Sequence, residues 1–332
     1  MGLFGKGFLS VSVLRISTGA TLDELASAMA DRIYTNAGES SQSGWGSIED
    51  GIESGERTPS SVPFSPTAPR VEDGRHGFSM LGARFYYDVT NKSILDRLGK
   101  QSDWRLFSDR FGVDLLVVAD QNGDGHTVLV ASRKRDEVDG LIRPALREVV
   151  ESVDSTGLIK SIAIAEEHDP DFFLWLLHRS FNRISPADDI VLNAIDRVQA
   201  HQQSGWVTNF TQGTSPDRED LLVNISKQAD FGKLKVGLDH AVDPEGHFEV
   251  LLERDGGFSA YRACEYEEEN LNKLPPDLLG RRIVEDLWYV VLPKMRDVYN
   301  DDKVWRDKTR GDFIVWARTE LEMRYGGGTP AT

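Results

Sequence analysis

Apolar and polar positions alternate over Phe8 to Ile16 (FLSVSVLRI), which predicts an opening strand. The period then changes. Leu22, Leu25, Ala26, Met29 and Ile33 fall on one face at helical spacing, and Thr21 precedes Glu24 by three residues, the spacing of a capping box. From Asn36 to Gly77 no apolar period survives. Eight Ser, seven Gly and four Pro occupy these 42 positions, which predicts a long loop or tether, mobile in part. Its one notable island is Ser43-Gly44-Trp45-Gly46. Docking of that tryptophan on the fold is expected, because its ring carries a large apolar area.

Further strands are expected over Phe78–Thr90, Asp114–Ala119 and His126–Ser132, with a short helical patch at Ser93–Phe111 built on Ile94, Leu95, Leu98, Trp104 and Phe107. Asn122-Gly123 followed by Asp124-Gly125, between two apolar runs, signals a hairpin. Glu137–Val153 carries a helical stripe through Val138, Leu141, Ile142, Ala145, Leu146, Val149 and Val150, and Pro144 inside it predicts a kink or a restart. Leu158–Ala165 reads as a strand. Pro170–Phe181 reads as a largely buried helix with Pro170 in its first turn. Shorter elements follow at Pro186–Gln199 and Val207–Gln212, then a helix at Asp217–Ser226. Strands at Gly232–Asp239 and His247–Glu253 are joined by the Asp243-Pro244-Glu245-Gly246 turn, and Phe258–Tyr266 pairs with the second of them. Pro275–Tyr299 and Asp302–Tyr325 are the longest helical patterns, with a break at Pro293.

This order predicts an α+β fold: antiparallel sheets with packed helices and a long C-terminal helical segment. The expected organisation is an opening strand–helix (1–35), the Ser/Gly/Pro-rich loop (36–77), a central α+β domain (78–165), a C-terminal α+β domain (166–325) and a disordered tail (326–332). No internal repeat is visible.

Composition narrows the class. The chain has 332 residues, and its 15 Phe, 8 Tyr and 7 Trp argue against global disorder. Its longest apolar stretches, such as Phe172–Leu177, fall far short of the ~20 residues of a membrane span. Met1–Val13 has no sustained apolar leader, and Lys6 stands where a myristoylation signal needs Ser or Thr. Cys264 is the lone cysteine, so neither an intrachain disulfide nor a thiolate metal cluster is expected. A cytoplasmic protein without a membrane partner is the expectation. The net charge of −16 repels nucleic acid overall, so any such binding requires a local basic surface that beats the global field.

Motifs for catalysis or metal binding are thin. Asp120-x-Asn122-x-Asp124-Gly125 has the first half of a calcium loop, but Ala131 stands where the bidentate Glu belongs, so a plain hairpin turn is expected. Asp239-His240, Asp243, Glu245 and His247 lack the His-x-x-x-His spacing of one helical face and read as a solvated turn. Cys264 precedes the acidic run Glu265–Glu269, which would raise its thiol pKa. Gly-x-Ser-x-Gly and the phosphate-loop patterns are missing. No enzymatic activity and no cofactor are expected.

Basic clusters remain. Arg133, Lys134 and Arg135 precede a helix that carries Arg143 and Arg147. Lys227, Lys233 and Lys235 flank and enter a strand. Arg281-Arg282 and the Arg306, Lys308, Arg310 group begin the last helices. Cations at a helix start oppose the macrodipole, a cost that a bound polyanion would offset.

Several segments, taken in order, resemble the RdgC-type recombination-associated family: Glu39-Ser40-Ser41-Gln42-Ser43-Gly44-Trp45 after the first helix, Thr127–Leu146 (TVLVASRKRDEVDGLIRPAL), the aromatic Asp171–Leu176 segment, Glu219–Val236, and the Arg281–Arg324 helices. The chain departs from that family in lacking its long charged helical insertion, of which only Ser93–Phe111 is available, and in its long 36–77 loop. The resemblance implies a ring-like homodimer that encircles double-stranded DNA without sequence preference and restrains a recombinase, with nucleoid association. It places Arg133, Lys134, Arg135, Arg143, Lys227, Lys233 and Lys235 toward DNA, where cations release counterions from phosphates. The rival expectation is an acidic structural or scaffold subunit, of a virion or a complex, that binds no DNA.

Overall fold

The computed structural model describes residues 8–52, 55–98, 103–120, 125–161, 170–202, 205–211, 213–241 and 243–325. The fold is α+β with antiparallel sheets and a C-terminal helical segment. Two compact units form: Met1–Ile162 with Pro275–Gly280, and Ala163–Leu274 with Arg281–Thr332.

The first unit opens with β1 (Phe8–Ser17) and α1 (Leu22–Ala30). The capping box forms as expected. Thr21 Oγ1 accepts from the Glu24 amide at 3.2 Å, and Glu24 Oε2 accepts from the Thr21 amide at 2.7 Å. Four strands follow: β2 (Ser43–Gly46), β3 (Thr58–Pro59), β4 (Arg70–Asp73) and β5 (Ser79–Thr90). Then come α2 (Lys92–Leu98), a short 3₁₀ turn at Trp104–Leu106, β6 (Ser108–Ala119) and β7 (His126–Val130). Here the expected helical patch is corrected. Among its described residues, Lys92–Leu98 is α-helical and Trp104–Leu106 a single 3₁₀ turn, and residues from Ser108 onward extend, because they pair with Thr90 and the residues before it on β5.

The helix after β7 runs as α3 (Arg135–Glu137), a π-turn at Val138–Ile142 and α4 (Arg143–Val153). Pro144 explains the π-turn. It has no amide hydrogen for the carbonyl four residues back, and its ring crowds that carbonyl, so the turn before it widens instead of breaking. β8 (Leu158–Ser161) pairs with β1. β1 pairs with β7, β7 with β6, β6 with β5, and β5 with both β2 and β4, every pair antiparallel. The apolar phase of these strands (Leu14, Leu81, Phe85, Leu115, Val117, Val128) packs with Leu25 and Met29 of α1 and Leu146 and Val149 of α4 in one buried core.

The Ser/Gly/Pro-rich segment is not a tether. Trp45 docks as expected, 1 % exposed, with its ring centroid 5.0 Å from that of Phe85. Gly44 permits this. A Cβ there would meet the Tyr34 backbone at 2.5 Å, where β2 runs beside Tyr34. The described residues 47–52 and 55–67 then lie on the opposite face of the β5–β6 pair as a strap, joined at its ends by Ser47 N to Thr67 O (2.8 Å) and fixed to β6 by β3.

The second unit begins with α5 (Pro170–Asn182), in which Phe172 to Leu177 are all buried. β9 (Ile190–His201) and β10 (Val207–Thr211) form a hairpin. After α6 (Glu219–Ser226) come β11 (Asp230–His240), β12 (Gly246–Leu252), β13 (Phe258–Tyr261) and β14 (Glu265–Tyr266). The sheet order is β10-β9-β11-β12-β13, with β14 also on β12. α5 packs on β9 and β11. The C-terminal helices are α7 (Glu269–Asn272), α8 (Pro276–Asp286), a π-turn at Leu287–Val291, α9 (Leu292–Asp301), a second π-turn at Trp305–Thr309, and α10 (Arg310–Tyr325). The break expected at Pro293 is a π-turn, as at Pro144, and the helix continues through it.

Candidate functional site

The seven cations expected to face DNA divide between the units, four in the first and three in the second. Arg133, Lys134 and Arg135 lie where β7 leads into α3. Lys134 Nζ is 2.5 Å from Glu137 Oε1, and Asp139 bridges Arg135 (3.6 Å) and Arg143 (2.9 Å). Lys227 is exposed just past α6. Lys233 pairs with Glu253 at 3.0 Å, and Lys235 lies between Asp196 (3.2 Å) and Glu249 (2.7 Å). Lys235 Nζ also stands 4.7 Å from the Tyr261 ring centroid. Burial works against its charge, but the hydrogen bonds to Glu249 and Asp196 outweigh it and hold its pKa above the ordinary value.

The helix start at α3 differs from the expectation in one respect that matters for anion binding. Asp136 and Glu137 occupy its first turn. They supply the negative charge that the macrodipole favours there, so no external anion is required. Glu137 is a hub that sequence reasoning missed. It accepts from Tyr87 Oη (2.8 Å), Ser132 Oγ (2.6 Å) and Lys134 Nζ (2.5 Å). Burial raises its pKa, but the bonds from Lys134, Ser132 and Tyr87 together keep the carboxyl below its ordinary range.

Lys233, Lys235 and Asp239 alternate on β11 with the buried Leu234, Val236 and Leu238, so they share the open face of the second sheet. His247 and Asp239 pair on that face, with Nδ1 and Oδ1 2.6 Å apart. Burial opposes ionisation of Asp239, and the bonds from Asn193 and His247 outweigh it. Next to it lies an acid-lined cavity of about 390 Å³ whose walls include Asp188, Asp189, Asp239, Glu245, Glu265 and Glu267. Lys294 engages Asp189. Among the described residues, no group of three or more His, Cys, Asp or Glu is placed to hold a metal ion.

The other expected candidates resolve locally. Asp120 of the calcium-like loop takes hydrogen bonds from Arg15 Nε (3.0 Å) and Thr127 Oγ1 (2.8 Å), while Asn122 and Asp124 lie outside the described residues. Cys264 is buried, and burial foremost pushes its thiol up to about 12, so the expected cause, the acidic run after it, is minor. Arg281 pairs with Glu285 (2.9 Å) and Arg310 with Asp171 (2.6 Å). Arg306 donates to the Asn300 carbonyl at 2.5 Å. Arg147 is exposed on α4.

Among the described residues, the most deeply placed arginines and lysines are two that no motif marks. Arg84 of β5 and Arg110 of β6 are 1 % and 0 % exposed under the strap. Arg84 Nε is 2.5 Å from Asp114 Oδ1, and its other nitrogens donate to the carbonyls of Asp50 (2.9 Å) and Ile48 (3.2 Å). Arg110 donates to the Val62 carbonyl (2.7 Å) and to Tyr34 Oη (3.2 Å). Tyr34 in turn donates to Asp88, which also accepts from Ser60 Oγ of the strap. The arginines thus satisfy backbone carbonyls of a segment that has little sheet pairing of its own. Gly112 makes room for this, since a Cβ there would meet Arg84 Cδ at 2.8 Å. The usable signal is the register: Arg84 faces Asp114 and Asp88 faces Arg110 across β5–β6, two opposite-charge pairs in phase on one face.

Among the described residues, Lys134, Arg135, Arg143, Lys233 and Lys235 each meet a carboxylate of their own unit, and Arg84 and Arg110 meet backbone carbonyls of theirs. Cys264 is held as a neutral thiol, and the described carboxylates around the acid-lined cavity are not gathered on a common centre. No helix among the described residues is long and apolar enough to cross a membrane. Compared with protein-family models the chain finds no match, and compared with curated proteins it finds none either.

Proposed function

We propose that the chain is a non-enzymatic interaction protein, and that the better supported of its two expected roles is an acidic structural or scaffold subunit. One observation carries this reading. Five of the seven cations expected to grip phosphate already have a carboxylate within 4 Å in their own unit: Lys134, Arg135, Arg143, Lys233 and Lys235. On the open face around β11, the four carboxylates of Asp196, Asp239, Glu249 and Glu253 stand beside three cations, Lys233, Lys235 and the Arg197 that β9 places opposite Lys235. A duplex approaching that face meets more like charge than opposite charge, on a chain that already carries −16.

The second reading is sequence-independent duplex binding by a homodimer of the RdgC type, with recombinase interplay and nucleoid association. Arg135 favours it. This side chain is 91 % exposed and its ion pair is long at 3.6 Å. Surface pairs of this kind are worth little, so a phosphate can displace the carboxylate. The order of the family-like segments supports the same reading.

Retention on a duplex-DNA resin separates the two, read beside light scattering on the full chain. The scaffold role predicts flow-through at low salt and concentration-dependent assembly. Retention that falls steeply with salt, in a protein that stays dimeric, replaces it with the DNA role.

A further inference from the structure

In the second unit, the C-terminal end of α5 and the first turns of α10 line a half-open cavity of about 330 Å³. That volume lies at the small end of the range for small-molecule sites, roughly 300–1,000 Å³. Its walls are aromatic and meet at steep angles. Phe313 and Trp316 lie parallel within 3°, centroids 5.4 Å apart. Phe181 stands at 74° to both, at 5.9 Å and 6.1 Å. His178 meets Phe313 at 77° and 5.1 Å. Burial foremost, with the neighbouring Arg179 charge, lowers the His178 pKa below its ordinary value, so its ring is neutral at pH 7.

At that pH one lining side chain carries charge, the exposed carboxylate of Asp312. Asn182 spends its amide nitrogen on the His178 carbonyl at 2.8 Å. The cavity is therefore lined by aromatic rings, one anionic group and no cation. Ring faces carry the negative end of the aromatic quadrupole and attract a cation that is cheap to dehydrate. A metal ion is the wrong occupant, since no set of three ligating side chains is placed for it among the described residues. A primary ammonium is strongly hydrated and asks for several oxygen acceptors. A methylated ammonium spreads its charge over carbon, needs no such acceptors and matches both the rings and the lone carboxylate.

From this geometry we propose that the cavity between α5 and α10 binds a small quaternary ammonium compound, its methylated head group against Phe181, Phe313 and Trp316 and its charge balanced by Asp312.

The test is calorimetric titration of the full chain with choline, beside its uncharged isostere 3,3-dimethylbutan-1-ol and beside ammonium chloride at equal ionic strength. Saturable choline binding is expected, with the isostere and ammonium each at least about tenfold weaker. Asp312→Asn should weaken choline several-fold without altering the isostere, and Trp316→Leu should weaken choline about tenfold. Asp312 is exposed, so that variant keeps its fold even where Trp316→Leu does not. Equal affinity for choline and the isostere overturns the proposal in favour of a merely apolar cavity. The absence of saturable choline binding, or choline binding unchanged in both variants, overturns it outright.

Discussion

Arg84 on β5 and Lys235 on β11 occupy the same kind of position: the polar phase of a long strand, next to acids on neighbouring strands. Their surroundings differ. The strap Ser47–Thr67 closes over Arg84 and leaves it 1 % exposed. Nothing among the described residues closes over Lys235 to that degree, and its side chain stays 19 % exposed. The difference decides what the same charge pairing does. Under the strap, Arg84 and Asp114 are cut off from water, and each is tolerable only while the other is present. On the open face, water screens the Lys235 pairs and can replace either partner. The first arrangement fastens a segment to a sheet; the second keeps a charged surface in solution.

The largest effect therefore belongs to the strapped face. Asp114→Ala leaves the Arg84 guanidinium buried without its carboxylate and should cost about 3–5 kcal/mol in urea unfolding followed by circular dichroism. The paired variant Arg84→Met with Asp114→Leu removes both charges and should lose less than Asp114→Ala alone. A cost below about 1 kcal/mol for Asp114→Ala would show that the buried pair does not hold the strap, and the contrast between the two faces would collapse.

Glu137 lies between the extremes, with a side chain 13 % exposed and three donors on it. Glu137→Gln should cost about 1–3 kcal/mol at pH 7, from a charge-assisted network left partly unmatched. Its pKa is lowered in the folded chain from an ordinary 4.5. A lowered carboxyl pKa means that the folded state holds the proton less tightly than the unfolded chain does. The stabilisation is thus complete above about 4.5 and is lost as pH falls through the folded value. Wild-type stability should fall in that acid window more steeply than that of Glu137→Gln. Parallel acid limbs would remove Glu137 from the set of charges that matter.

These two sites show how far the fold can be read from sequence. The alternation at Phe8–Ile16, the Thr21–Glu24 capping pair and the stripe from Val138 to Val150 are local patterns, and each produced its element. Trp45 was legible for the same reason, since a large ring has one usual destination. The strap was not. Its residues have no period because they pair little with one another, and Arg84 and Arg110 hold them through carbonyls, which side-chain identity does not reveal. Arg110 was further hidden by the apolar spacing of Leu98, Trp104 and Phe107, which imitates a helix across residues that turn and then extend. The cations near α3 were legible as residues but not as partners: Lys134, Arg135 and Arg143 read as a basic cluster until the acids between them, Glu137 and Asp139, are seen on the same turns.

The open face should respond weakly. Lys235→Gln should cost at most about 1 kcal/mol at pH 7, because its two acids remain accessible to water and to counterions. The Lys235 pKa is raised in the folded chain from an ordinary 10.5, so its contribution is whole below that value and is lost only as pH rises through the folded one. Between pH 6 and 9 the difference between wild type and Lys235→Gln should stay constant. A loss as large as that of Asp114→Ala would mean that this face is covered in the working protein, by a partner or a second copy.

The smallest expected change in stability is at Arg135, the most exposed of the paired cations, and there the comparison turns into a test of role. Arg135→Gln leaves Arg143 closer to Asp139 than Arg135 was, at 2.9 Å against 3.6 Å, so the carboxylate keeps a partner and the melting temperature should not move. Duplex retention is the sensitive readout, because stability and phosphate contact separate cleanly at a side chain that is 91 % exposed. If the chain is a scaffold, wild type and Arg135→Gln flow through a DNA resin alike. If Arg135 meets phosphate, its removal weakens binding on every sequence and reduces the salt slope by about one. A variant of unchanged stability and reduced slope would show that Arg135 serves a polyanion and not the fold.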